Sequence, residues 1–256
     1  MSLSRFSKLS IATLIFSSFS ASATIVEVTT SHGNFKINLH DEATPITVTN
    51  FLKYVNDDDY DNTVVHRLVP NFVMQSGGFK YEGTRALSAI PTDSAIKNEP
   101  VYSNVRGTIA MAKIGGNVNS ATSQWFINLS NNSGGSASLD TQNGGFTVFG
   151  EVIEGMEKVD LIAGLPLCSS VPMPNFTAEQ CSDASFVPGA DNFVTIVSVD
   201  IIDPTINSAD SLSPVKNTSL PTTSPEPPKS SSGGGSLAWF SLAFMTLVSI
   251  RRFFKK

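Results

Sequence analysis

The sequence predicts a mainly β domain, a closed barrel or sandwich with helical caps. Three observations carry this. Two early segments alternate apolar and polar residues around a short turn. Many later β-like runs are short and broken by Gly, Asn and Ser. Only two stretches show the period of an amphipathic helix, and many short strands with few helices favour closure or sandwiching.

Thr24–Thr30 (TIVEVTT) and Asn34–His40 (NFKINLH) form the alternating pair, with Ser31-His32-Gly33 as the turn. Phe35, Ile37 and Leu39 share one face and Lys36 and Asn38 the other, which predicts a β-hairpin. Thr44-Pro45 then opens a helix, Thr as N-cap and Pro in the first turn. Val48, Phe51, Leu52 and Val55 recur at helical spacing as one apolar stripe. A second helix fits Glu154–Ala163, with Met156, Val159, Ile162 and Ala163 on one side. FTVFGEV (146–152) and FVTIVSVDII (193–202) are the clearest later strands.

The two ends lie outside this domain, which spans residues 24–203. Residues 1–23 place Arg5 and Lys8 before the apolar run Leu9–Phe19, and Ala21-Ser22-Ala23 gives a small-x-small cleavage site. They read as a secretory signal peptide. Residues 204–236 are rich in Pro, Ser, Thr and Gly and read as a disordered linker. Residues 237–256 hold a short hydrophobic helix, LAWFSLAFMTLVSI, and a basic end, RRFFKK. That tail resembles the GlyGly-type C-terminal sorting signals of Gram-negative bacteria. The alternative is a permanent inner-membrane anchor, for which the span is marginal. The expected location is the periplasm or cell surface.

Without both ends, eleven of the 17 basic residues stand against all 22 acidic ones, which excludes a nucleic-acid partner. Cys168 and Cys181 are the two cysteines. An even count outside the cytosol suggests a Cys168–Cys181 disulfide closing SSVPMPNFTAEQ. No metal is expected: Asp57-Asp58-Asp59 lacks calcium-loop spacing and reads as a solvated loop.

Four stretches carry the functional reading: VVHRLVPNFVMQSGGF (64–79), RGTIAMAK (106–113), SATSQWFINL (120–129) and SLDTQNGGFTVFGEVIEGMEKVD (138–160). In order and spacing they resemble the cyclophilin family of peptidyl-prolyl cis/trans isomerases, from about Thr24 to Ile202. The resemblance implies a closed eight-stranded antiparallel β-barrel capped by two α-helices, and no cofactor. It places the catalytic set on Arg67, Phe72, Gln75 and Phe126. Val73, Met111, Ala112, Lys113, Gln124, Leu139 and Phe146 fall at substrate-contacting positions. The implied partners are proline-containing peptides and unfolded exported proteins, met by a monomer.

The chemistry suits those residues. Rotation about an X–Pro bond breaks no σ bond, and its barrier of about 18–20 kcal/mol comes from amide resonance. A cation that favours the twisted amide over both planar states speeds the exchange. The Arg67 guanidinium keeps its charge and offers a rigid fork of donors. The apolar run of HRLVPNFVMQSGGFK (66–80) can hold a proline ring, and Gly77-Gly78 allows a close backbone approach. No general base is required, so His66 reads as a hydrogen-bonded structural histidine. Trp125 alternates with Gln124 and Phe126 and is expected to point into the core.

This chain departs from the family pattern at four positions. Val73 replaces a common Met, Lys113 a common Asn, Ser138 the cyclosporin-gripping Trp, and Phe146 a His beside the pocket. The changes at Ser138 and Phe146 imply weak cyclosporin binding. Phe146 also keeps open a low-turnover Pro-peptide binding module or chaperone at the cell envelope.

Overall fold

The structure, a computed structural model, describes residues 24–204 and 212–220. Residues 1–23, expected as a signal peptide, and residues 237–256, expected as a sorting signal or anchor, lie outside the described residues. No described helix is long and apolar enough to cross a membrane. The strands are β1 (Ile25–Thr30), β2 (Phe35–Leu39), β3 (Thr63–Val64), β4 (Arg67–Val69), β5 (Val73–Ser76), β6 (Phe79–Lys80) and β7 (Ser88–Ala89). They continue with β8 (Thr108–Met111), β9 (Trp125–Asn128), β10 (Val148–Glu154), β11 (Leu167–Cys168), β12 (Val171–Pro172) and β13 (Thr195–Asp203). The helices are α1 (Pro45–Asn56), α2 (Met156–Ala163) and the short α3 (Ala178–Ser182).

The predicted hairpin is β1–β2, with Val28 opposite Phe35 and Val26 opposite Ile37. All four side chains are buried, as their shared parity requires. The first predicted helix is α1, but Thr44 gives it no side-chain cap. Its hydroxyl donates instead to the His40 carbonyl. The first-turn amides of Ile46 and Thr47 reach the Glu99 carboxylate, at 3.3 and 2.9 Å. A remote anion thus meets the positive end of the helix dipole. The second helix begins at Met156 rather than Glu154, because β10 runs through Glu154 and Gly155 turns the chain at φ 82°.

The expected closed eight-stranded barrel is corrected. Eleven strands form one open, curled sheet in the order β4-β5-β9-β8-β10-β2-β1-β13-β3-β6-β7. Its outer strands are β4 and β7. The run Thr63–Val69 changes partner along its length, β3 pairing with β13 and β4 with β5. Val65 and His66 connect them and send their amides to Val194 and Gln75 respectively. The two-residue strands β6 and β7 extend the sheet past β3, adding an edge that the sequence pattern does not announce.

Curling gives β8 and β9 two packed faces. Ile109, Met111, Trp125 and Ile127 enter the main core with Val48, Phe51 and Val55 of α1. Ala110 and Phe126 point the other way, into a smaller cluster with Val73, Leu139 and Val148. Period-two alternation therefore assigns the same two strands to stability and to the outer site.

The expected disulfide joins Cys168 and Cys181. It sits in an insertion that contains the separate β11–β12 hairpin and α3. The Leu68 amide of β4 donates to Ser170 of this insertion, so the insertion covers an edge strand.

His40 is buried, and burial pushes its imidazole down to about 4. Glu151 lies 3.8 Å away, too far for a hydrogen bond that would hold the proton. The folded state keeps His40 neutral while the unfolded chain protonates near pH 6.5. Its stabilising contribution is full above pH 6.5 and falls as pH drops toward 4. Thermal unfolding at pH 5 against pH 7 should show a loss on the order of 2 kcal/mol from this group. His40→Gln should remove only its own share of the slope, since burial lowers His66 to about 4 as well and that residue titrates over the same range.

Candidate active site

The site begins with register. Arg67 of β4 faces Gln75 of β5, Gln75 faces Phe126 of β9, and Phe126 faces Ala110 of β8. Opposed residues on neighbouring strands share a face, so these four stand in one row. One polar end and one apolar end result from strand pairing alone. The Arg67 Nη1 donates to Gln75 Oε1 at 3.3 Å, and Gln75 Nε2 donates to Gln124 Oε1 at 2.8 Å. The glutamine pair orients the guanidinium, whose Cζ lies 6.0 Å from the Phe72 ring centre.

A cavity of about 510 Å³ opens in front of this row. Arg67, Phe72, Val73, Gln75, Ala112, Lys113, Phe126, Leu139 and Phe146 all line it. Ser136, Ala137 and Gln142 line it too. The sequence reading missed these three, of which Ser136 and Ala137 lie in a loop before Leu139 and Gln142 opens a short 3-10 helix after it. Gln124 lies in an adjoining cleft of about 320 Å³ that shares Gln75, Ala112 and Lys113 with the cavity. Met111 is a correction. It is 1 % exposed and packs in the main core, because alternation turns it away from Ala110 and Ala112.

Phe126 and Phe146 meet edge to face, with ring centres 5.8 Å apart. Lys113 places its Nζ 4.8 Å from the Phe146 ring centre. The same ammonium donates to the carbonyls of Asn143 and Gly145, at 2.8 and 2.7 Å. Burial lowers the Lys113 amine to about 8. Two of the departures from the family pattern, Lys113 and Phe146, are thus one interacting pair on the cavity wall.

Gly77 and Gly78 are needed where they stand. Gly77 has φ 78°, and a Cβ on it would come within 2.8 Å of the Trp125 ring. A Cβ on Gly78 would meet the Gln124 side chain at 2.6 Å. Trp125 itself is fully buried in the main core, away from the cavity. His66 packs edge-on against Phe79, with ring centres 4.8 Å apart, and burial lowers its imidazole to about 4. Its Nδ1 is buried without a close hydrogen-bond partner, while a hydrogen bond with the Gln124 side chain fits the hydrogen-bonded structural histidine that the sequence suggests. Aromatic packing against Phe79 holds the ring in its place.

Among the described residues no cluster of three or more metal-ligating side chains occurs. The cavity offers an oriented guanidinium at its polar end, an apolar floor, and no carboxylate among its lining residues. Such a site can hold a small apolar ring and bias the charge on an adjacent amide.

Residues 25–182 match the model of the cyclophilin type peptidyl-prolyl cis-trans isomerase family. A peptidyl-prolyl cis-trans isomerase of Acinetobacter baylyi is 42% identical over 155 residues, covering 60% of this chain and 79% of that protein. Peptidyl-prolyl cis-trans isomerase B of Escherichia coli is 40% identical over 139 residues, covering 53% of this chain and 82% of that protein. A solved cyclophilin-type isomerase from Cryptosporidium parvum shares the fold with a TM-score of 0.50 and 22% identity, over 72% of this chain and 99% of that one. The chain belongs to the cyclophilin-type peptidyl-prolyl cis-trans isomerases.

Proposed function

We propose that this isomerase turns X–Pro bonds of exported proteins, with Arg67 stabilising the twisted amide. The observation that carries the reading is the row Arg67–Gln75–Phe126 facing one cavity. The proline ring would rest on Phe126, Val73 and Leu139, with Phe72 and Phe146 as walls. Arg67 would reach the proline nitrogen or the neighbouring carbonyl. A guanidinium already oriented by Gln75 needs little reorganisation as the amide pyramidalises. No proton moves, so His66 has no part in the step.

An extracytoplasmic role is supported by the Cys168–Cys181 disulfide, which suits an oxidising compartment. The terminal segments add the signal peptide and the sorting-signal or anchor reading, on sequence alone. Clients are then unfolded exported proteins, met at the periplasm or cell surface. Cyclosporin binds weakly in this reading, since Ser138 offers little surface to grip.

A second reading, a binder of Pro-containing segments with low turnover, draws on Phe146 and Lys113. Their cation–π contact stiffens the wall, and it could favour holding over turning. Turnover separates the two. The full chain should speed cis-to-trans exchange of a short X–Pro peptide far above the spontaneous rate. Binding without acceleration would leave only the binder. The Gln75→Ala variant should lose about tenfold in kcat/KM, the worth of one charge-assisted hydrogen bond. An unchanged kcat/KM would show that the glutamine does not orient Arg67.

A further inference from the structure

The chain does not leave the molecule where its last strand ends. Beyond β13, residues 212–220 lie against the body of the domain. They fall within the stretch read as disordered linker, and that reading does not hold for them. The Val215 carbonyl accepts the Ser103 amide at 2.8 Å, and the Asn217 amide donates to Val101 at 2.9 Å. Lys216 thereby pairs antiparallel with Tyr102, and the Ser103 hydroxyl donates to the Lys216 carbonyl at 3.2 Å. Composition hides this, since the bonds come from backbone groups that any sequence carries.

Where the segment leads gives it meaning. The Asn217 Nδ2 donates to the Asp140 carbonyl at 2.9 Å. A Leu220 methyl carbon lies 3.1 Å from where a Cβ on Gly145 would stand. Asp140 and Gly145 are the residues next to Leu139 and Phe146, two residues that line the cavity and are themselves bonded from Phe146 amide to Leu139 carbonyl at 2.9 Å. Gly145 also supplies the carbonyl that takes Lys113 Nζ. On the other side, the Asp140 carboxylate accepts the Asn104 amide at 2.7 Å. The wall is therefore held from within by Asn104 and Lys113, and from outside by Asn217 and Leu220.

We propose that residues 212–220 are a strap that positions the proline-cavity wall, with Asn217 and Leu220 as positioning residues. The strap lies beyond the family-matched region, which ends at residue 182. The working isomerase unit therefore extends to Leu220, past the end of the sheet. Neither residue touches substrate. Each acts through the loop that presents Leu139, Phe146 and the Lys113 acceptors. The catalytic part of this proposal rests on the isomerase reading above.

The test uses the full chain carrying Asn217→Ala with Leu220→Ala, beside Asn217→Ala alone and Leu220→Met. Two readouts are taken. Amide hydrogen exchange at Phe146 and Gly145 should speed at least tenfold in the double variant, with exchange in β1 and β2 unchanged. In peptide turnover, KM should rise several-fold with kcat falling less, and Leu220→Met should restore wild-type values. Unaltered exchange at Phe146 and Gly145 would overturn the strap. Faster exchange with wild-type KM and kcat would overturn its bearing on the site. A uniform rise in exchange across the sheet would mark a general structural role and also overturn the proposal. Should the wild type turn over no peptide, the isomerase reading fails, while the exchange readout still decides the strap.

Discussion

Replacing Arg67 with alanine should lower kcat/KM for an X–Pro peptide by about 10²–10³-fold, the usual cost of removing one preorganised electrostatic group. The fold should tolerate the change. Arg67 is only partly buried, and its side-chain hydrogen bond is to Gln75 at 3.3 Å. The melting temperature should stay within a few degrees of wild type, because the main core lies on the opposite face of β9. Arg67→Lys should recover little, since an ammonium keeps the charge but loses the planar fork that Gln75 orients. Coupled peptide kinetics on both variants check this. A lysine variant near wild-type rate would mean that charge alone suffices.

Removing the disulfide should cost about 3 kcal/mol, by analogy with crosslinks closing loops of similar length. The two cysteines are 13 residues apart. The loss should be local first. The insertion packs through Met173, with Phe176 and Phe186 ring centres 5.5 Å apart. Arg85 ties it further by donating to the Cys181, Asp183 and Phe186 carbonyls. Its link to the site is the Leu68–Ser170 bond, next to Arg67 on an edge strand. The Cys168→Ser, Cys181→Ser double variant should therefore be cut by protease between residues 169 and 180 well before the sheet opens. Wild type should resist unless reduced. Equal protease resistance in both would show that packing alone orders the insertion.

The sequence made some of this legible for definite reasons. Alternation placed β1 and β2 and turned Trp125 inward, because a strand that buries one face must repeat every two residues. The same rule, applied to RGTIAMAK, would have removed Met111 from the site. A motif carries neighbours along whether or not their side chains face the ligand. Closure was not legible, because it depends on which partner Thr63–Val69 chooses at each end. Ser136, Ala137 and Gln142 were missed because residues of loops and short 3-10 helices reach a cavity through turns that have no period. Glu99 as the anion at the start of α1, and the strap at 212–220, both depend on contacts between segments far apart in the chain. Composition read the strap as linker because it counts side chains, and backbone pairing does not depend on them.

The central claim is that Arg67 acts on the twisted amide rather than on binding. The most direct measurement is the exchange rate between cis and trans forms of one X–Pro peptide at equilibrium, followed by NMR with the full chain. The peptide dissociation constant is measured on the same samples. The account predicts that Arg67→Ala slows the catalysed exchange by about 10²-fold or more while the dissociation constant moves by less than about threefold. Exchange that persists in the variant, or that falls only as far as binding weakens, would contradict it.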